Sequence, residues 1–420
     1  MSKIRTTLKE ICDELSDGLH KAPVFTPNDE YLFVNATNLE NGHIVDKEPE
    51  KHASAGEYKK YGIPLNSRTI LYSIDGTIGN MARYRGEKCI LGKGACYLKI
   101  KDTVDVDYIY YLLQSAAFKG YIKTMSTGST IHHISLETMR NFSFVLPNIN
   151  EQKKIGRTSA LIDSKINTNK KICSELESMA KRLYDYWFVQ FDFPDETGRP
   201  YRTSGGEMVW NDQLKREIPK GWSVHRIQDV CGIVDCLHSK KPDTAFEDDK
   251  YFLLQLENLV DLGLLDLSQK YYVSKQDYEN WTSKIEVRDG DIVITNAGRV
   301  GDVSRIPGGV VAGIGRNMTA IRPIDIPPVF LYYFFVSKDM DTQIRTNTDT
   351  GSFFGSLNVR GIKELKVTFS DDNMEIIEDF ENRVAPIRRM IEKLAEENNE
   401  LTKLRDWLLP MLMNGQATVE

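Results

Sequence analysis

The chain has 420 residues, 41% of them hydrophobic and 27% charged, an ordinary globular composition with room for two or three domains of ~100–200 residues. The first twenty residues hold no apolar core for a secretory signal, and no run approaches the ~18 apolar residues of a membrane span. A cytoplasmic protein without a membrane partner is therefore expected. The net charge of −6 excludes no nucleic-acid surface, because residues 371–420 alone hold 12 acidic and 6 basic side chains and supply the whole deficit.

In chain order, the first marked element is Asp17-Gly18-Leu19-His20-Lys21-Ala22-Pro23, followed by a strand-like run from Tyr31 to Asn35. An apolar stretch, Thr69 to Gly79, ends in G-x-x-G. An aromatic helical segment begins at Tyr108, and a Gly-Ser loop spans Thr127 to His133. A long helical pattern then places Ile162, Ile166, Asn169, Cys173, Leu176, Ala180, Leu183 and Trp187 at alternating spacings of four and three. That is the 3.5-residue beat of a coiled-coil seam. The polar stretch from Phe193 to Trp222, punctuated by Gly and Pro, reads as an ordered linker.

The same order then recurs. Asp235-Cys236-Leu237-His238-Ser239-Lys240-Lys241-Pro242 matches the opening, with Cys236 in place of glycine and an additional lysine. Tyr251–Gln255 matches the strand-like run, Asp291–Gly301 the G-x-x-G stretch, Phe330–Phe335 the aromatic helix, and Thr350–Ser356 the Gly-Ser loop. A second seam follows at Ile387, Ile391, Leu394, Asn398, Leu401 and Leu408, interrupted at Arg405, with Pro386 expected in the first turn of its helix. The chain is a module used twice. Each module mixes short β-rich runs with helical pieces, so the fold class is α+β. Two matched stripes, each closing one copy, point to the two helices packing on each other. The expected divisions are 1–150, a helix over 151–190, a linker over 191–222, a second module over 223–372 and a last helix over 373–420.

No stretch carries catalysis. Gly86 to Gly94 has five residues between its first two glycines and no hydroxyl after Lys93, so it fails as a P-loop. Gly313-Ile-Gly315 lacks the third glycine of a dinucleotide fingerprint, and Asp325-Ile-Pro-Pro-Val-Phe330 only scrambles a methyltransferase loop. The six cysteines are scattered without a CxxC pair, so free buried thiols are expected rather than zinc or disulfides. An alternative is a metal-dependent nuclease around Asp243–Lys250, where Pro242-Asp243 followed by Asp248-Asp249-Lys250 would supply two carboxylates and a lysine to hold Mg and orient a water. A solvated acidic loop is the simpler reading of that run. His132 and His133 are adjacent and do not form an i,i+4 ligand pair. No catalytic residue and no metal site are assigned.

DNA contact is the better-supported activity. Residues 81–101 hold Arg83, Arg85, Lys88, Lys93, Lys99 and Lys101 against one acid, and residues 298–322 hold Arg299, Arg305, Arg316 and Arg322 against one acid. Matched basic segments suit phosphate neutralisation and guanine reading. Candidate contacts in the first half are His20, Lys21, Arg83, Arg85, Lys88, Lys93, Ser129, His132 and His133. In the second half they are His238, Lys240, Lys241, Arg299, Arg305, Arg316, Asn317, Ser352, Phe353 and Phe354.

The stretch Tyr184-Asp-Tyr-Trp-Phe-Val-Gln-Phe-Asp-Phe-Pro194, continuing through Gly198-Arg-Pro-Tyr to Trp210 and Leu214–Trp222, resembles the central region of type I restriction–modification specificity subunits. The D-G-x-H-x-x-P opening at Asp17, Gly18, His20 and Pro23 resembles the same family. This resemblance implies two tandem target-recognition domains separated by two long antiparallel conserved helices, a pseudo-two-fold internal repeat. It also implies double-stranded DNA as ligand, read as a bipartite asymmetric site, with two methylation subunits and restriction subunits as partners. S-adenosylmethionine, ATP and Mg would be used by those partners and none bound by this chain. A helix over 151–187 would be about 55 Å long, more than the ~34–36 Å of one DNA turn, which suits a spacer between half-sites.

Overall fold

Thr69–Ser73 is a strand in which all five side chains are buried, and its position organises the first half of the chain. A computed structural model describes residues 4–125, 133–245, 250–348, 356–370, 374–414 and 416. Thr69–Ser73 pairs antiparallel with Ala95–Ile100 and Met81–Arg83, and Cys12–Asp17 completes the four-stranded sheet beyond Ala95–Ile100. A three-stranded sheet sets Tyr31–Val34 between His52–Ala53, antiparallel, and Cys89–Leu91, parallel. Ile4–Thr7 pairs with Ser143–Leu146. The helices Val106–Leu112, Ala116–Met125 and Leu136–Asn141 bring Tyr108, Phe118 and Met139 into one core with Ile70, Tyr72 and Leu98.

The second half repeats this plan strand for strand. Ile292–Thr295 lies between Met318–Pro323 and Val303–Arg305, with Cys231–Asp235 on the outer edge. Phe252–Leu254 lies between Tyr271–Tyr272, antiparallel, and Gly313–Ile314, parallel. Ser223–Arg226 pairs with Lys366–Phe369, and the helices are Pro328–Phe335, Lys338–Thr346 and Val359–Lys363.

The correspondence extends to single hydrogen bonds. In the first half the Asn80 amide donates to Ser73 Oγ and the Gly79 amide to the Ser73 carbonyl, at 2.8 and 3.2 Å. In the second the Asp302 and Gly301 amides do the same to Thr295, each at 3.0 Å. Both are hydroxyl residues at the end of the central strand, where a side-chain acceptor holds the G-x-x-G turn.

Two long helices complete the chain, Ile149–Tyr184, running into a wider turn at Asp185–Val189, and Glu375–Asn414. The chain divides into two compact units, residues 1–166 with 400–420 and residues 167–399, so both boundaries fall inside these helices. In the second unit the helix segments run antiparallel: Asn169 Nδ2 donates to Asn398 Oδ1 at 3.0 Å, Cys173 Sγ lies 3.7 Å from the Ile391 carbonyl, and Glu177 meets Arg388 at 3.6 Å. In the first unit Arg405 meets Asp163 at 2.8 Å, and Leu409 and Leu412 are buried with Ile155.

Of the expected stripe, Ile166, Asn169, Cys173, Ala180, Trp187, Ile391 and Asn398 are buried. Ile162, Leu176, Leu183, Ile387, Leu394, Leu401 and Leu408 are half-buried. On the second helix the buried line runs through Ile377, Val384, Ile391, Asn398 and Leu412, with half-buried Arg405 on it. Arg405 does not interrupt the seam; it occupies a seam position and meets a carboxylate there. Pro386 requires correction. It lies in the fourth turn of the helix that begins at Glu375, and it is exposed rather than on the buried line. A proline there removes one internal hydrogen bond, and the continuous packing of Ile377, Phe380 and Val384 holds the preceding turns helical.

The stretch from 191 to 222 packs into the second unit. Phe193 stacks on Trp222 with centroids 5.2 Å apart, and a hairpin joins Met208–Asn211 to Arg216–Pro219. All six cysteines are free and buried, and burial pushes the thiols of Cys12, Cys89 and Cys231 up to about 12. Among the described residues, no helix is long and apolar enough to cross a membrane.

Candidate nucleic-acid interface

Each half gathers the same features at one end of its four-stranded sheet. The opening turn comes first. His20 Nε2 lies 3.0 Å from Asp17 Oδ2, and His238 Nε2 lies 2.9 Å from Asp235 Oδ2, the same i,i+3 contact made twice. The turn leaving the parallel strand of the smaller sheet comes second. The Gly92 amide donates to the Val34 carbonyl at 2.8 Å, and the Gly315 amide to the Leu254 carbonyl at 2.7 Å. The following residues, Lys93 and Arg316, therefore occupy equivalent places. The segment after each Gly-Ser loop comes third: Ile134 donates to the Ile74 carbonyl and Leu357 to that of Asn296.

In the first half these elements converge on a carboxylate. Asp75 lies 3.6 Å from Lys93 Nζ and 3.4 Å from His133 Nδ1, and the Lys93 amide donates to the Leu19 carbonyl at 3.0 Å. In the second half they converge on Asp235, whose Oδ1 lies 3.4 Å from Asn296 Nδ2 and 3.5 Å from Thr319 Oγ1. Asn317 there adopts the left-handed conformation, φ 63°, and its carbonyl accepts from the Asn296 amide. Asn296 Oδ1 is buried without a partner.

Most of the basic side chains expected at this surface are engaged inside the protein. Arg83 pairs with Asp107, and Lys88 pairs with Glu30. Arg85 donates to the Gly42 carbonyl at 2.7 Å. Lys99 meets Glu14 at 2.7 Å, and Lys101 donates to the Glu10 carbonyl. Arg299 donates to the Leu256 and Leu259 carbonyls and meets Asp302. Arg305 is buried between Asp289 and Glu392, each at 2.9 Å, which takes it out of reach of a ligand. Arg322 is held by Asp291.

Lys21 and Lys240 are exposed. Lys241 lies 3.7 Å from the Tyr271 ring centroid, and desolvation there lowers its pKa. Arg316 and Asn317 are exposed, and among the described residues the Arg316 side chain makes no ion pair or hydrogen bond. Ser129, His132, Ser352, Phe353 and Phe354 lie outside the described residues. Sequence reasoning missed Asp75, the acceptor on which the first cluster is built, and Asn296; both stand inside the G-x-x-G stretches already singled out.

Asp235, Cys236 and His238 present ligand-type atoms close together, but Cys236 is a buried thiol whose pKa burial raises, and the first half has glycine in its place. Apart from that thiol, the Asp235–His238 contact is the same as the Asp17–His20 contact of the other half. Of the carboxylates of the nuclease alternative, Asp243 is exposed, and Asp248 and Asp249 lie outside the described residues.

Residues 5–178 match the family model of the type I restriction modification DNA specificity domain. The first module and most of the first long helix thus carry the signature of that DNA specificity domain. The chain is 24% identical over 95% of its length to the type I restriction enzyme MjaIX specificity subunit of Methanocaldococcus jannaschii, covering 87% of that protein. It is 22% identical over 74% of its length to the HindI specificity subunit of Haemophilus influenzae, covering 77% of it. In fold it is similar to the crystal structure of a type I restriction–modification system S subunit from M. genitalium, with a TM-score of 0.59 at 17% identity over 98% of this chain and 96% of that one. The duplicated ends of the sheets are the candidate interface, and nothing in these relatives supports a nuclease.

Proposed function

We infer that the chain reads DNA sequence for a type I restriction–modification complex and performs no chemistry itself. The observation that carries this reading is the repetition, within one chain, of a domain whose sheet end presents exposed cations, Lys21 and Lys93 or Lys240 and Arg316, beside an Asp–His turn. Two such domains suit a bipartite site, and their different side chains at equivalent places suit an asymmetric one. Two methylation subunits bind along the paired helices, and restriction subunits join them. The exposed Leu161, Leu404 and Trp407, which flank the Asp163–Arg405 pair, give such a partner apolar surface to cover. S-adenosylmethionine, ATP and Mg belong to those partners, which work in the cytoplasm.

The test is co-expression of the chain with the methylation subunit of its own system, followed by mapping of methylated adenines across the host genome. A split, asymmetric motif that disappears when either protein is omitted is expected. Adenine methylation by the purified chain alone would refute the non-catalytic reading.

A further inference from the structure

The basic segments 81–101 and 298–322 look interchangeable in sequence, but their side chains have different fates. In the second segment Arg299, Arg305 and Arg322 are each tied to carbonyls or carboxylates of the protein. Arg316 alone is exposed and uncommitted among the described residues. Its counterpart Lys93 is 59% exposed, and its contact with Asp75 is a long one of 3.6 Å. Both stand on the short turn where the chain crosses from one sheet to the other, Cys89–Leu91 to Ala95–Ile100 and Gly313–Ile314 to Met318–Pro323. A turn fixed by a strand at each end holds its side chain on a rigid base, which base-edge recognition needs.

The acidic neighbour separates the two positions. Ser73 and Thr295 are equivalent by their hydrogen bonds, so Asp75 corresponds to Ala297. The lysine has a carboxylate beside it, and the residue of the second domain that corresponds to that carboxylate is an alanine. An exposed guanidinium without a protein acceptor keeps its fork of donors open, and that fork matches the two acceptors, O6 and N7, of a guanine in the major groove.

We propose that Arg316 is a sequence-determining residue of the second recognition domain, reading a guanine edge, and that Lys93 contacts DNA from the same place in the first. The proposal rests on the DNA-reading function above. The full chain is assembled with its methylation subunits, its site is taken from genome methylation, and binding is measured with duplexes in which single guanines are replaced by 7-deazaguanine. One such replacement, in the half-site of the second domain, should weaken wild-type binding. Arg316→Ala should weaken binding to the unmodified site roughly 5- to 150-fold, and the same replacement should then cost almost nothing more. Arg316→Lys should not restore discrimination at that base. Lys93→Ala should weaken binding through the other half-site only.

Unchanged binding by Arg316→Ala, or a loss equal on cognate and scrambled duplexes, overturns the assignment, as does full rescue by lysine. Continued reading of the first half-site by Arg316→Ala shows that the variant is folded. Failure of the DNA-reading function would look different: the wild-type assembly itself would then prefer no duplex.

Discussion

The two recognition domains have the same strand order in all four of their sheets, yet they spend their polar residues differently. At the sheet end the first domain collects Lys93 and His133 around Asp75, whereas the second leaves Arg316 without an acidic partner among the described residues and collects amide and hydroxyl groups around Asp235. In the helix pair the contrast runs the other way. The first unit joins its helix segments through the half-exposed Asp163–Arg405 pair, while the second buries Arg388 among Glu177, Glu392 and the carbonyls of Leu262 and Gly263. A shared scaffold therefore does not imply shared energetics: one unit depends on a desolvated charge network and the other does not.

The sharpest way to break this comparison is at Arg388, which is 1% exposed and lies 4.4 Å from the Tyr332 ring centroid. Arg388→Met keeps much of the volume but leaves the buried Glu177 with only a 3.8 Å cation contact, to Lys181, and Glu392 with Arg305 alone. Removing one partner of a buried pair costs about 3–5 kcal/mol. Arg405→Met removes a pair whose side chains are 22% and 23% exposed, and solvent screening limits its loss to about 1 kcal/mol. Unfolding in denaturant, followed separately through probes in each unit, should show a large destabilisation of residues 167–399 for the first variant and a small one of the other unit for the second. Equal losses would mean that burial does not distinguish the two networks.

Next in size is the opening turn. A Cβ at Gly18 would sit 2.3 Å from the Leu91 carbonyl oxygen, the acceptor of the 2.7 Å bond from the Leu19 amide. Gly18→Ala should therefore push that turn off the sheet at a cost of about 1–3 kcal/mol and disturb the neighbouring Lys93. The second domain has Cys236 at this position, with its amide bonded to Met318, so Cys236→Ala merely trims a buried sulfur and should cost about 1 kcal/mol. Melting temperatures of the two variants decide it, and a milder effect at Gly18 than at Cys236 would contradict the steric account.

Much of this was legible in the sequence because it rests on period and repetition. The G-x-x-G stretches, the aromatic helices and the 3.5-residue stripes identified the duplication, its α+β character and the paired helices. What stayed hidden depends on partners distant in sequence. Arg83, Arg299 and Arg305 look like DNA contacts when counted as charges, but Asp107, the Leu256 carbonyl and Glu392 bind them, and no local pattern announces those neighbours. Arg405 looked like a break in an apolar stripe because its acceptor, Asp163, is 242 residues away. Pro386 misled because helix starts favour proline, while the tertiary packing that tolerates it inside a helix leaves no local signature.

The smallest expected effect sharpens the contrast at the reading surface. Ala297→Asp gives Arg316 the carboxylate that Lys93 already has, and Asp75→Ala gives Lys93 the freedom of Arg316. An exposed ion pair is worth ~0.2–1 kcal/mol, so each change should alter affinity by only about 1.5- to 5-fold, in opposite directions and through opposite half-sites. Ala297→Asp should weaken binding through the second half-site because DNA must displace the new carboxylate. Asp75→Ala should strengthen binding through the first. Because both effects are electrostatic at an exposed site, they should fade as salt shortens the screening length to a few ångströms. One result would change the picture of the first domain: a loss of affinity in Asp75→Ala confined to one base pair. A carboxylate can accept from the amino group of cytosine, and such a loss would make Asp75 a reader in its own right rather than the partner that holds Lys93.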